Sequence, residues 1–301
     1  MDVCVFGAGS LGSLVGGLLA RAHDVTLVGR EPHVSAVERD GLRITGRRDE
    51  RVTPTGRTTP PERTDLAVVT VKSFDTAAAA RALASVDADG ALSLQNGMGN
   101  EETLAAQLDC PVLAGTCTYG ARLAEPGVVE CTGDGQIHLG TRDGGWSALA
   151  DRVGGSFVTA GLDATVAADM PRRLWEKLAV NAGINATTAL ARVPNGALAD
   201  GPARAVAENA ARETARVART HDINLDPAEA VEQTLSVAET TAANTSSMSQ
   251  DVRAGKRTEV DAINGYVVEQ AAEPVPVNET LAGLLRAWEK ARDLRTERNG
   301  G

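Results

Sequence analysis

The chain has 301 residues, 43% of them hydrophobic and 23% charged, a composition typical of a globular protein with more than one domain. Its formal net charge of −10 excludes a strongly basic surface, so we expect neither nucleic acid nor a membrane as a partner. No apolar run reaches about 18 residues, and the first residues have the pattern of a strand rather than of a signal peptide. We therefore predict a cytoplasmic protein.

A short apolar strand, Val3 to Phe6, runs directly into a glycine-rich turn, Gly7 to Gly12, and then into a helix. The turn has the pattern GxGxxG, which between a strand and a helix is typical of a dinucleotide-binding site. Its glycines permit the tight turn, the close approach of a pyrophosphate and the packing of helix on strand, and the helix N-terminus offers N–H groups to the phosphates. A glycine-rich turn without a ligand is the alternative.

The second strand, Val25 to Val28, ends at Gly29 and Arg30. An enzyme that uses NAD usually has an acidic side chain here, which accepts a hydrogen bond from the ribose 2′-hydroxyl. A guanidinium instead suits a 2′-phosphate, so we favour NADP over NAD. Glu31 keeps NAD open, because a different turn of the loop would bring its carboxylate to a 2′-hydroxyl.

Two further strands end in polar side chains. The strand at 65–71 ends at Lys72, and the strand at 91–95 ends at Asn96. Because ligands of open α/β sheets bind at the carboxyl ends of the strands, both residues are candidates for the site, although Lys72 also fits a solvated surface position. Other strands are expected at 42–45, 51–53, 112–119, 127–131, 136–140 and 164–168, with 127–131 and 136–140 paired as a hairpin around Gly133 to Gly135.

The cysteines and histidines form no recognisable metal site. The four cysteines lack CxxC spacing and are interpreted as core or loop thiols, so we expect no bound metal. His23 and His33 flank the second strand and are interpreted as surface residues, and His138 as a structural residue.

After Asp169 the pattern becomes helical, with helices expected at 174–185, 203–221, 228–244, 258–272 and 279–295. Asp226 and Pro227 supply an N-cap and a first helical residue for one of them. The sequence therefore predicts a doubly wound Rossmann-type α/β domain at residues 1–168 that binds NADP, followed by an all-helical substrate and catalytic domain at residues 169–301.

The first helix of this second half carries an unusual polar stripe. Lys177, Asn181 and Asn185 are spaced at i, i+4 and i+8, so they drift only about 80° around the helix axis while their neighbours are mostly apolar. Burying an ammonium and two amides without partners costs a few kcal/mol each, so something must satisfy them. A polar network between helices would do so, and a bound substrate would do so as well.

Four further motifs follow in the sequence: Asn96-Gly97-Met98-Gly99, Pro194-Asn195-Gly196, Ser246-Ser247-Met248 with Asp251, and Arg257-Thr258-Glu259-Val260-Asp261. Together with the glycine-rich turn and the Lys177 stripe, and in the same order along nearly the whole chain, they make the sequence resemble the family of ketopantoate reductase (2-dehydropantoate 2-reductase). The resemblance does not extend to residues 41–61 and 141–160. It implies an all-α second domain like the C-terminal domain of 6-phosphogluconate dehydrogenase. It also implies NADPH-dependent reduction of 2-dehydropantoate to (R)-pantoate, a step toward coenzyme A.

The resemblance implies roles for individual residues as well. Lys177 would be the general acid, and Glu259 would lie beside the nicotinamide and the substrate. The residues that hold pantoate would be Asn96, Asn181, Asn185, Asn195, Asn244 and Ser247. The cofactor site would consist of Gly7, Ala8, Gly9, Ser10, Leu11, Gly12, Arg30, Lys72, Asn96, Ala121 and Glu259.

Two other functions stay open. One is a sibling reductase that acts on another 2-keto or 3-keto acid. The other is an NADPH-binding regulatory or scaffold protein, although the intact polar set of the helical half argues against the loss of chemistry. The sequence is compatible with a homodimer and does not specify the oligomeric state.

Overall fold

The computed structural model describes residues 1–295 and contains two compact units. The first unit consists of Met1–Gln95 and Gly99–Pro171, and the second of Asn96–Met98 and the described part of Arg172–Gly301. Each unit has its own apolar core.

The first unit is built on an eight-stranded, mostly parallel sheet with the strand order β14-β13-β10-β9-β7-β1-β2-β5. These strands are β1 (Asp2–Phe6), β2 (Asp24–Val28), β5 (Thr55–Arg57), β7 (Leu66–Val69), β9 (Ala91–Ser93), β10 (Val112–Cys117), β13 (Ile137–Thr141) and β14 (Ala164–Val166). From β1 the chain adds β2 and then β5 on one side, and it then adds β7, β9, β10 and β13 on the other side. This change of direction is typical of a doubly wound nucleotide-binding fold. The Rossmann-type prediction is therefore confirmed.

Five helices belong to this unit: α1 (Ser10–Leu19), α2 (His33–Asp40), α3 (Thr76–Leu83), α4 (Asn100–Ala105) and α5 (Ala148–Thr159). The close packing of α1 on the sheet depends on Gly16, where a Cβ would lie only 2.4 Å from a side-chain carbon of Leu27. A single turn of 3-10 helix, Ser73–Asp75, precedes α3.

The remaining strands form two smaller sheets. A four-stranded sheet has the order β11-β12-β3-β4, with β3 (Leu42–Gly46), β4 (Glu50–Val52), β11 (Gly120–Glu125) and β12 (Val128–Gly133), and β6 (Arg63–Thr64) pairs with β8 (Asp87–Ala88). The predicted hairpin around Gly133 to Gly135 is wrong, because β12 pairs with β11 whereas β13 pairs with β10 in the large sheet. Gly135 instead permits a close backbone approach, since a Cβ there would lie 2.2 Å from the nitrogen of Tyr119.

The described part of the second unit is helical apart from its loops. Its helices are α6 (Met170–Ala191, which begins in the last two residues of the first unit), α7 (Arg204–Thr220), α8 (Pro227–Thr240), α9 (Ser247–Arg253), α10 (Tyr266–Gln270) and α11 (Pro276–Lys290). The predicted cap is confirmed, because Asp226 Oδ1 accepts hydrogen bonds from the N–H groups of Ala228 and Glu229.

The expected continuous helix at 258–272 is wrong. Residues 258–260 are irregular, Asp261–Gly265 forms a π-helical turn, and only Tyr266–Gln270 is α-helical. The wide turn is closed by a hydrogen bond of 2.8 Å from the Gly265 N–H to the Val260 carbonyl. Turns of this kind are rare and occur frequently at functional sites.

A buried polar chain joins four elements of the second unit. The Asn264 amide donates to the Ala182 carbonyl of α6 (3.1 Å) and to the Asn278 amide oxygen of α11 (2.9 Å). The Asn278 amide nitrogen in turn donates to Glu213 and to the Ala210 carbonyl of α7. Glu213 also accepts the N–H groups of residues 277 and 278, so it caps the N-terminus of α11 from a distant part of the chain.

Within residues 1–295 no helix combines the length and the apolar character that a membrane crossing would need.

Candidate active site

The three glycines of the GxGxxG turn differ in why the position suits glycine. Gly7 has a φ of +116°, and a Cβ at Gly12 would lie 2.2 Å from the Gly7 oxygen and 2.4 Å from Thr70 Oγ1. The fold itself therefore requires these two glycines. Gly9 has an ordinary φ of −84°, and among the described residues nothing would approach its Cβ closer than 3.9 Å. The open space beside Gly9 fits the close approach of a pyrophosphate to the backbone.

Backbone N–H groups precede and follow Gly9 in the turn. The N–H groups of Gly7 and Ala8 both donate to the Val28 carbonyl at 2.9 Å, which fixes the turn to the end of β2. The N–H groups of the first helical turn have no acceptor within an α-helix. In α1 these groups belong to Ser10, Leu11 and Gly12. Together with the positive end of the helix dipole they can bind an anion.

Strand β11 lies against the same turn. The Ser10 hydroxyl accepts a hydrogen bond of 3.0 Å from the Leu123 N–H, and Ala121, half-buried, precedes Leu123 by two residues. Ala121 is therefore placed near the start of α1, as a cofactor-contacting residue would be.

Arg30 lies at the end of β2 with its guanidinium in solvent, where 90% of the side chain is exposed. Its nearest carboxylate is Asp75, at 3.5 Å, in the turn that follows Lys72. Glu31 is held differently, because its carboxylate accepts a hydrogen bond of 2.6 Å from the Ser35 hydroxyl. The exposed guanidinium of Arg30 is thus available to an incoming anion at this strand end. Lys72, three residues before Asp75, is partly buried.

The interpretation of His33 as a surface residue is wrong. His33 is buried, its Nε2 lies 2.9 Å from the Ser13 hydroxyl of α1, and its Nδ1 accepts a hydrogen bond of 3.0 Å from the Gly127 N–H. Since an accepting nitrogen carries no proton, the ring is neutral. Burial lowers the pKa of His33 in the same direction. His33 therefore joins α1, the loop after Arg30 and the turn between β11 and β12.

In the second unit, the stripe lies on α6. Asn185 is buried, and Lys177 and Asn181 are partly buried between apolar neighbours such as Leu178 and Ala182. The helix is held from two sides. The Ala182 carbonyl accepts from Asn264, and Thr188 lies 2.7 Å from the Ser246 hydroxyl. Asn264 thereby links the helix that carries Lys177 to the π-helical turn that follows Glu259.

Two of the predicted pantoate-binding residues, which lie in different loops, are joined by a backbone hydrogen bond. The Asn195 N–H donates to the Asn244 carbonyl at 3.0 Å, and the Asn195 side-chain nitrogen donates to Thr241 at 2.9 Å. The Asn195 side-chain oxygen is buried and makes no hydrogen bond within residues 1–295. Ser246 caps α9 through the Ser249 N–H, which makes partly buried Ser247 its first residue. An unsatisfied buried oxygen at this place is suited to a donor from a ligand hydroxyl.

Glu259 is buried, and its segment holds the Asn96 loop. The Met98 N–H donates to the Ala262 carbonyl at 3.0 Å, and Gly97 is needed there because a Cβ would lie 2.6 Å from that oxygen. Asn96 and Glu259, which the sequence expects to contact both cofactor and substrate, are therefore parts of one bonded arrangement.

Several supporting residues were not identified from the sequence. His33, Asn264, Asn278 and Glu289 are all buried polar residues whose partners lie far away along the chain. The only available hint was a polar residue inside an apolar segment, and that hint does not identify a partner.

The chain is similar to known proteins over both units. The family model described as Ketopantoate reductase PanE/ApbA matches residues 3–144, and the model described as Ketopantoate reductase PanE/ApbA C terminal matches residues 169–289. The 2-dehydropantoate 2-reductase of Halobacterium salinarum is 46% identical over 299 residues, which covers 95% of this chain and 98% of that protein.

Solved structures give the same picture. A crystal structure of a PanE/ApbA family ketopantoate reductase from Ralstonia eutropha JMP134 has a TM-score of 0.88 at 33% identity, covering 97% of this chain and 100% of that chain. The ternary structure of D-mandelate dehydrogenase with NADH and anilino(oxo)acetate has a TM-score of 0.91 at 24% identity, covering 98% and 100%, a likeness that concerns the fold alone.

Proposed function

The chain belongs to the ketopantoate reductase family, a family of NAD(P)-dependent oxidoreductases, and from this premise we propose that it reduces 2-dehydropantoate to (R)-pantoate with NADPH. In this proposal residues 1–168 bind NADP and residues 169–301 bind the substrate and supply the proton. A cytoplasmic location and a homodimer stay predictions from the sequence.

The single observation that carries the proposal is the polar stripe of α6. One ammonium and two amides, Lys177, Asn181 and Asn185, lie in a helix whose other residues at 174–186 are mostly buried and apolar. A keto acid that gains a hydride at its carbonyl carbon develops negative charge on the oxygen, which needs a proton and a nearby positive charge. Lys177 can supply both.

The neighbouring residues bind and orient the substrate. The amides of Asn181 and Asn185 can hold hydroxyl and carbonyl groups without adding charge, and the free oxygen of Asn195 can accept from a substrate hydroxyl. Ser247 and nearby N–H groups at the start of α9 can donate to the substrate carboxylate. Glu259 can accept from a second hydroxyl, with Asn96 held beside its segment.

NADP fits the residues of the first unit. In its reduced form, NADPH, the bound cofactor would supply the hydride. The open space at Gly9, the donors at the start of α1 and the exposed guanidinium of Arg30 are suited to a pyrophosphate and a 2′-phosphate. The choice of NADP over NAD rests on Arg30, because Glu31 is engaged with Ser35.

The proposal is tested by following NADPH oxidation with ketopantoate, with NADH in a parallel assay. Turnover with ketopantoate that is faster with NADPH is expected. Replacing Lys177 by Ala should lower kcat by about 10²- to 10⁴-fold if Lys177 is the general acid. Lys290, an exposed lysine at the end of α11, is the matched control, and its replacement by Ala should leave kcat unchanged. A raised KM with unchanged kcat in the Lys177 variant would remove the acid role.

A sibling reductase for another 2-keto acid is the second candidate. The fold likeness to D-mandelate dehydrogenase supports this candidate, because the same fold occurs in a protein that has a different name. A panel of 2-keto acids with either nicotinamide cofactor separates the two candidates, since the best substrate by kcat/KM identifies the reaction.

A further inference from the structure

Glu289, in the last turn of α11, is a fully buried carboxylate that reaches into the segment before Glu259. Its Oε1 accepts two hydrogen bonds from Thr258, one from the N–H at 2.7 Å and one from the hydroxyl at 2.6 Å. Its Oε2 accepts a hydrogen bond of 2.7 Å from Arg295 Nη1. A buried charge of this kind is tolerated only when it is paired and hydrogen-bonded, as it is here.

The same guanidinium also binds a carboxylate that follows Glu259 in the sequence. Arg295 Nη2 donates to Asp261 Oδ2 at 2.7 Å, while Arg286 Nε donates to Asp261 Oδ1 at 2.8 Å. Burial by itself would raise the pKa of Asp261, but the hydrogen bonds from Arg286 and Arg295 outweigh it and hold the pKa below its usual value. Asp261 is therefore ionised at neutral pH.

The chain is consequently held on both sides of Glu259, one residue before it and two residues after it. Thr258 is bound through Glu289, Asp261 is bound through Arg295 and Arg286, and the Glu259 carbonyl accepts the N–H groups of residues 262 and 263. The same backbone presents the Ala262 carbonyl to Met98, two residues after Asn96. One guanidinium thus joins the two carboxylates that define where Glu259 and the Asn96 loop lie.

We propose that Arg295 is a positioning residue for the reduction: it acts through Glu289 and Asp261 to hold Glu259 and Asn96 in the geometry that the reaction needs. The inference rests on the proposed function, because it assigns Glu259 and Asn96 to the reacting complex. The hydrogen bonds of Arg295 described above go to Glu289 and Asp261, so its proposed effect runs through these two carboxylates.

The size of the effect follows from the sensitivity of catalysis to geometry. A displacement of about 1 Å in a group that orients the substrate can lower the rate by about 10²-fold. Replacing Arg295 by Ala removes two hydrogen bonds of 2.7 Å and leaves Glu289 with an unpaired buried oxygen. We expect kcat with ketopantoate to fall about 10- to 100-fold. The affinity for NADPH should change less than kcat, because the pyrophosphate and 2′-phosphate groups are assigned to residues of the first unit, whereas Glu259 is assigned to the nicotinamide end.

The experiment compares three variants. Arg295→Ala is the test, and Arg295→Lys is the conservative variant, which keeps a positive charge that can reach one or both carboxylates. Arg292→Ala is the matched control, because Arg292 follows the same helix and is exposed, with its guanidinium 4.5 Å from the Trp288 ring. For each, kcat, KM for ketopantoate and the dissociation constant of NADPH are measured, together with amide hydrogen exchange of peptides that cover 96–98 and 257–265.

The inference is supported by a lower kcat and faster exchange of these peptides in Arg295→Ala, partial recovery in Arg295→Lys and wild-type behaviour in Arg292→Ala. Unchanged kcat or unchanged exchange in folded Arg295→Ala overturns it. If Arg295→Ala does not fold, Asp261→Asn replaces it, since it keeps the shape and removes the charge, and a wild-type kcat in that variant also overturns the inference. Absence of turnover in the wild-type protein would instead overturn the proposed function, while the exchange measurement would still test the network.

Discussion

The open space at Gly9 gives a sharp test of the cofactor site, because Gly9 and Gly12 belong to one motif but differ in their surroundings. An alanine at Gly9 meets no atom of the described chain closer than 3.9 Å and has an acceptable φ of −84°. Alanine is a poorer N-cap than glycine but restricts the unfolded chain, and these opposing effects are each about 1 kcal/mol or less. The free energy of unfolding should therefore change little.

Binding should respond strongly to the same substitution. A methyl group at Gly9 occupies the space through which a pyrophosphate would approach the first turn of α1. Losing one charge-assisted hydrogen bond costs about 1.5–3 kcal/mol. That cost corresponds to a dissociation constant for NADPH that is roughly 10- to 150-fold higher.

Gly12→Ala should show the opposite behaviour. Its Cβ would lie 2.2 Å from the Gly7 oxygen and 2.4 Å from Thr70 Oγ1, so the helix must move away from the strand. Overpacking of this kind costs about 1–3 kcal/mol, which lowers Tm by roughly 2–12 °C in a domain of this size. Gly155→Ala, on the exposed face of α5, is the control for both measurements, because the added Cβ would meet no atom of the described part of the chain within 4 Å beyond its own helix.

The assays are a fluorescence titration with NADPH and thermal unfolding without ligand. Wild-type affinity for NADPH in Gly9→Ala would contradict the assignment of Gly9 to the cofactor site. A drop in Tm as large as that of Gly12→Ala would contradict it too, since the glycine would then serve the fold rather than a ligand.

Two further predictions concern Arg30 and His33. Replacing Arg30 by Ala should weaken NADPH binding about tenfold or more and NADH binding little, whereas Asp75→Asn, which removes the negative charge 3.5 Å from Arg30, should strengthen NADPH binding a few-fold. Equal changes for both cofactors in a binding titration would contradict a 2′-phosphate site. The pKa of buried His33 lies below its ordinary value of 6.5, so the unfolded chain takes up the proton first and stability is lost as pH falls below about 6.5. His33→Asn keeps an acceptor for the Gly127 N–H but cannot titrate, and it should therefore show a smaller drop in Tm between about pH 7.5 and about pH 5 than the wild type; an equal drop would show that His33 does not titrate on unfolding.

Local sequence was sufficient where the structure is determined by neighbouring residues. The strand, glycine turn and helix at 3–19 lie where the apolar pattern and the GxGxxG spacing place them. The cap at Asp226 and the stripe of α6 follow from spacing alone as well. These features depend on contacts within a few residues, which is the range over which periodicity and capping operate.

The errors have a common physical origin in long-range contacts. The 258–272 segment was expected to be one helix, but the Thr258 N–H donates to Glu289, 31 residues later, and the chain is irregular there. The expected hairpin at 127–140 is wrong because Gly135 marks a close approach to the backbone of Thr118 and Tyr119, just after β10, and not a reversal between paired strands. His33 appeared exposed because its partners, Ser13 and Gly127, lie 20 and 94 residues away.

The capping of α11 by Glu213 affects the order in which the second unit folds during synthesis. Glu213 leaves the ribosome long before Val277 and Asn278, the residues 64 and 65 positions later whose N–H groups its carboxylate accepts. Until then its charge has no buried partner in α11, and Asn264 lacks the Asn278 oxygen that it donates to. Domains generally fold as units during synthesis, the N-terminal one first. The first unit can thus assemble while the chain is still growing, whereas the helix bearing Lys177 gains its final contacts only after α11 has been synthesised.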